Sequence, residues 1–481
     1  MIRPLAFAVL LAWLPAAQAE LPQAVSRALA AAKISEQAVS VLVLRGDKAL
    51  VSHLAERQMQ PASTIKVVTT LVALEQLTPV FRGRTELRSN AARVGDTLTG
   101  DLVLRGGADA DLNNESLQNM LQAVRNQGIR RIEGRLVLDR GLFSPARTDQ
   151  GIPPFDESPD AYYNVIPDAL LLNKNMLLLD MRSDEQQLQL IMQPQLDRVT
   201  IESGMTLISA ECGRWEEGWK APEIVREPGG KIRIILRGTY PKNCWSSNSI
   251  NVLDRQDYVD RVFREIWERL GGEIAGDTIE GAGPLEARTY AQHVSRALPE
   301  IVRDTNKLSD NALARTLFLS LGSLEGDAVA GSKPLPANGA MPTLARADLA
   351  VRSWMRRQGI DDAGMVLENG SGLSRTERIS AQQMGRLLQA GLRSKWAPEF
   401  QASLPIAGMD GTMRRRLRDS PAAERARIKT GTVRNVIAIA GYAPDANGQQ
   451  CVVVAMINGE NAGAGRQALD VLVDWVARAG N

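Results

Sequence analysis

Histidine is nearly absent from these 481 residues: only His53 and His293 occur. A Ser-His-Asp hydrolase needs one well-placed imidazole, and a zinc site usually draws several His or Cys ligands. His53 falls in an alternating, strand-like stretch, and both histidines read as structural. Any hydrolytic chemistry must therefore find its base in another residue type, and neither a metal nor another cofactor is expected. Cysteine is also scarce, with Cys212, Cys244 and Cys451, and an odd count leaves one thiol over. Cys451 sits in the apolar run QQCVVVAMIN and reads as a buried strand residue. Cys212 and Cys244 share a polar, loop-rich region and are the expected disulfide pair if the chain is exported. A charge excess is missing as well: 57 basic residues face 55 acidic ones, a net +2. That balance leaves no electrostatic footprint for nucleic acid. After the N-terminus no apolar run reaches the ~18 residues of a membrane span, so no stable membrane anchor is expected.

The N-terminus itself reads as an export signal. MIRPLAFAVLLAWLPAAQAE carries one positive charge at Arg3, then an apolar stretch, then the small-x-small site Ala17-Gln18-Ala19. Cleavage there makes Glu20 the first mature residue, and no Cys follows to carry a lipid anchor. The length predicts two or three domains. A short amphipathic helix is expected over Pro22–Ala32, then a hairpin of Ala38–Leu44 and Lys48–His53 around Arg45-Gly46-Asp47. PASTIKVVTTLVALEQL follows with helical apolar spacing and Pro79 as its stop. From about Arg88 to Leu285 short strands rich in Gly and Asp surround a helix at Asn114–Gly128. Helical pattern resumes at Gln256–Leu270, Thr289–Gly322, Leu344–Gln358 and Ser380–Leu392. Three strands, IKTGTVRNV, VIAIAGYAP and QQCVVVAMIN, lead to a closing helix at Gly465–Ala479. That helix holds Asp470 and Asp474 beside Arg466 and Arg478, so it reads as a packing helix, not a membrane-surface one. Hairpin and terminal strands together predict one antiparallel sheet built from both ends of the chain and covered by helices, an α/β (α+β) fold. The predicted division is a signal at 1–19, a discontinuous domain of 20–87 and 288–481, and a β-rich insertion at 88–287, read as two small subdomains.

Three short motifs carry the chemistry. Ser63-Thr64-Ile65-Lys66 opens a helix, and a spacing of three puts Ser63 and Lys66 on one face. The helix N-terminus favours an oxyanion and lowers the cost of a neutral Lys66, as a base must be. Ser309-Asp310-Asn311 offers a hydroxyl and an amide on a turn between helices: Ser309 can pass a proton and Asn311 can hold a substrate carbonyl. Lys429-Thr430-Gly431-Thr432 lies on a strand. There Gly431 lets a substrate backbone approach, Lys429 and the hydroxyls of Thr430 and Thr432 suit a terminal carboxylate, and the Thr432 N–H can join that of Ser63 as an oxyanion donor. Alone, each motif has a bland reading: an N-cap, a helix cap, an edge-strand lysine.

In this order S-x-x-K, S-D-N and K-T-G resemble the active-site triplet of penicillin-binding proteins and serine β-lactamases. The long interval between Lys66 and Ser309 resembles the insertions of the class C low-molecular-mass penicillin-binding proteins, the D-alanyl-D-alanine carboxypeptidases and endopeptidases of peptidase family S13. GDLVLRGGADADL, YYNVIPDALLLNKN, ENGSGLSR and SLPIAGMDGTMRRRL extend that likeness over nearly the whole mature chain. The resemblance implies a transpeptidase-like fold, Ser63 as acylated nucleophile, Lys66 as its base, and Ser309 as proton relay to the leaving group. It also implies Asn311 on the substrate amide, and Lys429 with Thr430 on the terminal carboxylate. The implied partners are peptidoglycan stem peptides and, as covalent inhibitors, β-lactams, acting in the periplasm. A pocket between core and insertion that reads the free centre of diaminopimelate is implied too, with Arg375 and Asp156 as its candidates here. Arg315 departs from the pattern, standing where the family commonly has an acidic residue. PPFDESPDAYYN lacks an aromatic residue that the family often has before the cleft loop of its insertion. The competing readings are a β-lactamase with fast deacylation and a non-catalytic wall-binding protein; the sequence leaves the oligomeric state open.

Overall fold

Alternation along the strands builds the central sheet. In the computed structural model, which describes residues 20–284, 286–336 and 341–480, five strands lie in the order Lys48–His53, Val39–Arg45, Gln450–Asn458, Val436–Pro444, Arg427–Val433. Every neighbouring pair is antiparallel. Leu42 and Leu44 point into one core with Val454, Met456, Ala440 and the Lys66–Gln76 helix. Val41 and Val43 point into another with Ile437, Val453 and the helices Gln23–Ala31 and Arg466–Arg478. Because successive side chains alternate, a strand such as Val436–Pro444, buried along its whole length, needs cover on both faces. Helices from both ends of the chain supply it. The expected signal segment lies outside the described residues.

The Lys66–Gln76 helix runs through the middle of the first core, buried without a break from Lys66 to Leu74. VVTTLVAL is apolar or hydroxylic all round, which is the pattern of an interior helix. Its Thr70 hydroxyl is satisfied on the Lys66 carbonyl at 2.7 Å. Burial of this helix carries Lys66 into the dry interior. Beside it pack the helices Leu298–Lys307 and Asn311–Leu321, whose connecting turn holds Ser309.

A separate buried cluster extends from Leu87 to Tyr290. It joins a mixed sheet, ordered Thr278–Glu280, Leu136–Asp139, Leu102–Gly107, Arg84–Ser89, Arg288–Val294, to the helices Asn114–Asn126 and Arg255–Arg269. Strands Leu177–Ser183 and Lys231–Pro241 belong to the same cluster. Two features differ from the sequence pattern. The expected helix over Thr289–Gly322 begins as a strand, Arg288–Val294, which pairs antiparallel with Arg84–Ser89 and buries Tyr290. Helix starts only at Leu298, where Pro299 occupies the first turn and needs no N–H partner. Both strands of that pair lie in the sheet with Leu102–Gly107, Leu136–Asp139 and Thr278–Glu280, so hydrogen bonds join residues on either side of positions 88 and 287. Cys212 and Cys244 are joined by a disulfide, and Cys451 is free and buried.

Candidate active site

Ser63 lies in a 3-10 turn, Ala62–Ile65, that runs directly into the Lys66–Gln76 helix. Ala62 is held at φ +45°, a conformation costly for a side-chain-bearing residue, which turns the chain sharply just before Ser63. Lys66 Nζ donates to Ser63 Oγ at 3.0 Å, to Asn311 Oδ1 at 2.7 Å and to the Ser371 carbonyl at 2.5 Å. Burial pushes the Lys66 ammonium well below its usual range, and the nearby charge of Lys429 pushes the same way; Asp310 and Glu377 oppose. An amine so disposed toward neutrality, in contact with a serine hydroxyl, has the geometry of a base for that hydroxyl.

Ser309 also has a left-handed backbone, φ +59°. Its hydroxyl accepts from Lys429 Nζ at 2.9 Å, and Lys429 donates as well to the Thr430 carbonyl at 2.7 Å. Burial lowers the Lys429 ammonium to about 7. Asp310 caps the following helix through the Leu313 N–H at 2.9 Å and pairs with Lys174. Asn311 donates its amide to the Tyr163 carbonyl at 2.9 Å. The strand Arg427–Val433 is the sheet edge, and it passes so close to the Ala62–Ile65 turn that a Cβ on Gly431 would lie 2.8 Å from the Pro61 carbonyl oxygen. Thr430 donates to the Thr412 hydroxyl at 2.7 Å, and Thr432 is exposed to the cleft.

One cleft of about 970 Å³ is lined by Ser63, Ser309, Asn311, Thr432, Asp156 and Arg375 together, with Lys66 and Lys429 buried behind it. Arg375 is exposed; it donates to the Phe155 carbonyl at 3.0 Å and stacks 4.9 Å over the Phe155 ring. The Asp156 carboxylate accepts from Tyr163 Oη and Asn164 Nδ2, each at 2.9 Å, and from the Ser158 N–H at 3.1 Å. Desolvation would raise its pKa, but those hydrogen bonds and the charge of Arg375 hold it below the usual carboxylate value. So Arg375 and Asp156 face one cleft, each partly engaged by the loop around Phe155. Sequence reasoning missed Ser371, whose contribution is a backbone carbonyl, and Glu377, whose buried carboxylate shapes the turn before it. Thr412 escaped notice too, although it lies inside SLPIAGMDGTMRRRL. Among the described residues no cluster of three or more His, Cys, Asp or Glu side chains could hold a metal ion.

A sequence model of the D-Ala-D-Ala carboxypeptidase 3 (S13) family matches residues 21–479. The chain belongs to that family. Among S13-type relatives it is 26% identical over 413 residues to the D-alanyl-D-alanine carboxypeptidase DacB of Haemophilus influenzae, covering 84% of this chain and 81% of the relative. It is 27% identical over 421 residues to a D-alanyl-D-alanine carboxypeptidase of an Actinomadura species, covering 84% and 74%. The crystal structure of penicillin binding protein 4 of H. influenzae superposes with a TM-score of 0.75 at 22% identity, over 95% of this chain and 99% of that one. At that identity the superposition speaks for the fold, which is the penicillin-binding-protein, transpeptidase-like one. A complex of that H. influenzae protein with a β-lactam superposes with a TM-score of 0.72. No helix among the described residues is long and apolar enough to cross a membrane.

Proposed function

We propose that this S13 chain is a serine DD-peptidase that cleaves D-Ala-D-Ala termini, D-Ala-diaminopimelate cross-links, or both, through an acyl-enzyme on Ser63. The observation that carries the reading is the Lys66 Nζ–Ser63 Oγ contact of 3.0 Å, with Lys66 fully buried. In its neutral form Lys66 takes the Ser63 proton as Oγ attacks the D-Ala carbonyl carbon. The N–H groups of Ser63 and Thr432 receive the oxyanion. Collapse of the tetrahedral adduct breaks the C–N bond, and Ser309, hydrogen-bonded to Lys429, relays a proton to the departing amine. Water then attacks the ester and regenerates Ser63. Asn311 holds the substrate amide; Lys429 and Thr430 hold the terminal carboxylate by charge-assisted hydrogen bonds. Arg375 and Asp156 read the zwitterionic side-chain centre of diaminopimelate. A β-lactam acylates Ser63 by the same attack, its ring nitrogen remaining attached as the leaving group.

Two further readings go with this one. The insertion is a unit apart from the transpeptidase-like core, supported by its own buried cluster. The mature protein works in the periplasm on peptidoglycan, a reading supported by the Cys212–Cys244 disulfide, which suits an oxidising compartment. The test is to follow D-Ala release and cross-link cleavage on purified muropeptides, alongside a chromogenic β-lactam. Release or cleavage with a stoichiometric β-lactam burst is expected. Sustained β-lactam turnover without muropeptide cleavage would favour a β-lactamase.

A further inference from the structure

Behind Lys66 lies a set of charged groups that the reaction above does not use. Glu377 is wholly buried, and its Oε1 accepts three successive backbone N–H groups: Glu368 at 3.2 Å, Asn369 at 3.0 Å and Gly370 at 2.9 Å. The next residue of that turn, Ser371, presents its carbonyl to Lys66 Nζ at 2.5 Å. The turn is tied to the Lys66 helix a second time, by Thr69 Oγ1 donating to the Gly370 carbonyl at 2.7 Å. It then passes under the nucleophile at Gly372, where φ is +83° and a Cβ would lie 2.0 Å from the Ala62 carbonyl oxygen. The second carboxylate oxygen, Oε2, is buried with no hydrogen-bond partner; burial and the charge of Glu368 raise the Glu377 carboxyl, while the three N–H groups hold it toward the charged form.

Arg315 faces the same region from the Asn311–Leu321 helix, one turn beyond Asn311, the residue that accepts from Lys66. It is 8% exposed, donates Nη1 to the Val165 carbonyl at 3.0 Å, and buries Nε without a partner. A guanidinium in that setting needs a nearby negative charge. Glu377 supplies the largest such influence on it and Glu368 the next, while Arg255 opposes.

We propose that Glu377 is a positioning residue for Lys66, holding the turn that aims the Ser371 carbonyl at the amine, with the buried Arg315 of the neighbouring helix as a more distant charge of opposite sign. The couple also biases the proton affinity of Lys66. After burial, Lys429 and Arg315 disfavour the Lys66 ammonium, whereas Asp310 and Glu377 favour it. Acylation needs the amine, so its rate climbs with pH as Lys66 loses its proton. Removing the Glu377 charge while Arg315 stays makes that proton easier to lose, so the climb moves to lower pH. Removing both charges cancels the bias.

This inference rests on the reading of Lys66 as the base for Ser63. The test is the rate of Ser63 acylation by a fluorescent penicillin as a function of pH, in the intact exported protein. Wild type, Glu377→Gln and the double variant Glu377→Gln/Arg315→Gln are compared. Glutamine keeps an acceptor oxygen for the three N–H groups and loses only the charge. The single variant should shift the acidic limb down by roughly one pH unit, the order expected for a close buried charge. The double variant should bring it back toward wild type. An unmoved limb in a folded Glu377→Gln variant, or a double variant shifted as far as the single, overturns the proposal. Glu377→Asp separates reach from charge: a lowered plateau with the limb in place is expected, and an unchanged plateau counts against positioning. If the wild type fails to label at Ser63, the reading underneath falls instead.

Discussion

Replacing Gly431 by alanine probes how tightly the edge strand and the nucleophile are fitted. The backbone of Gly431 lies outside the left-handed region, so alanine fits its conformation and removes flexibility from the unfolded chain. The obstacle is local: the new methyl would sit 2.8 Å from the Pro61 carbonyl oxygen, 3.0 Å from the Ser63 nitrogen and 3.1 Å from the Ala62 Cβ. Restoring an ordinary contact of 3.4 Å moves the strand about 0.6 Å from the nucleophile turn. That displacement separates the Thr432 N–H from the Ser63 N–H and shifts Lys429 relative to Ser309. A misplacement of 1 Å costs catalysis about 100-fold, so 0.6 Å should cost roughly 10- to 20-fold in acylation rate. The melting temperature should stay within a few degrees of wild type. The assay is stopped-flow or gel-based acylation by penicillin, with thermal unfolding of the same sample. Wild-type acylation in a folded Gly431→Ala protein would refute the tight apposition of strand and nucleophile.

Other perturbations separate the remaining roles. Lys429, lowered to about 7 by burial, grips a carboxylate only when protonated. Hence kcat/KM for a free-acid peptide, relative to its amide, should fall as pH rises through about 7, and Lys429→Arg should abolish the fall because a guanidinium stays charged. Lys429→Ala should cost the free acid about 1.5–3 kcal/mol more than the amide. His293 Nδ1 lies 2.7 Å from Asp109 Oδ2, and that hydrogen bond, against some desolvation, raises the imidazole above its usual value. A folded-state pKa raised in this way adds stability that is complete below the unfolded value and disappears as pH rises through the folded one. His293→Gln should therefore destabilise more at acidic than at alkaline pH in urea titrations. Arg375→Ala should lower kcat/KM for a peptide with a free diaminopimelate centre and spare one in which that centre is acetylated and amidated; equal losses would sink the pocket.

What could be read from the sequence was what short range encodes. S-x-x-K sets two side chains on one helical face, and the apolar spacing after Lys66 marks the helix; that the helix buries Lys66 completely is a finding of the structure. That S-D-N and K-T-G reach the same cleft follows from no local pattern; only the likeness to a family linked them. The strand Arg288–Val294 was hidden because its partner, Arg84–Ser89, lies some 200 residues away; Arg84–Ser89 alternates cleanly, burying Thr85, Leu87 and Ser89, but Arg288–Val294 buries only Tyr290. Glu377 and Ser371 were missed for another reason: one acts through the backbone N–H groups it holds, the other through a carbonyl, and neither leaves a residue-type signature. Arg315 was visible as a departure, but its surroundings were not.

The central claim is that Ser63 is the acylated nucleophile. Mass spectrometry of the protein after brief exposure to benzylpenicillin should show one adduct, located by digestion on the peptide that contains Ser63. The adduct should be absent from Ser63→Ala and strongly slowed in Lys66→Ala, with circular dichroism unchanged in both. An adduct on another residue, or labelling of Ser63→Ala at the wild-type rate, would contradict the account.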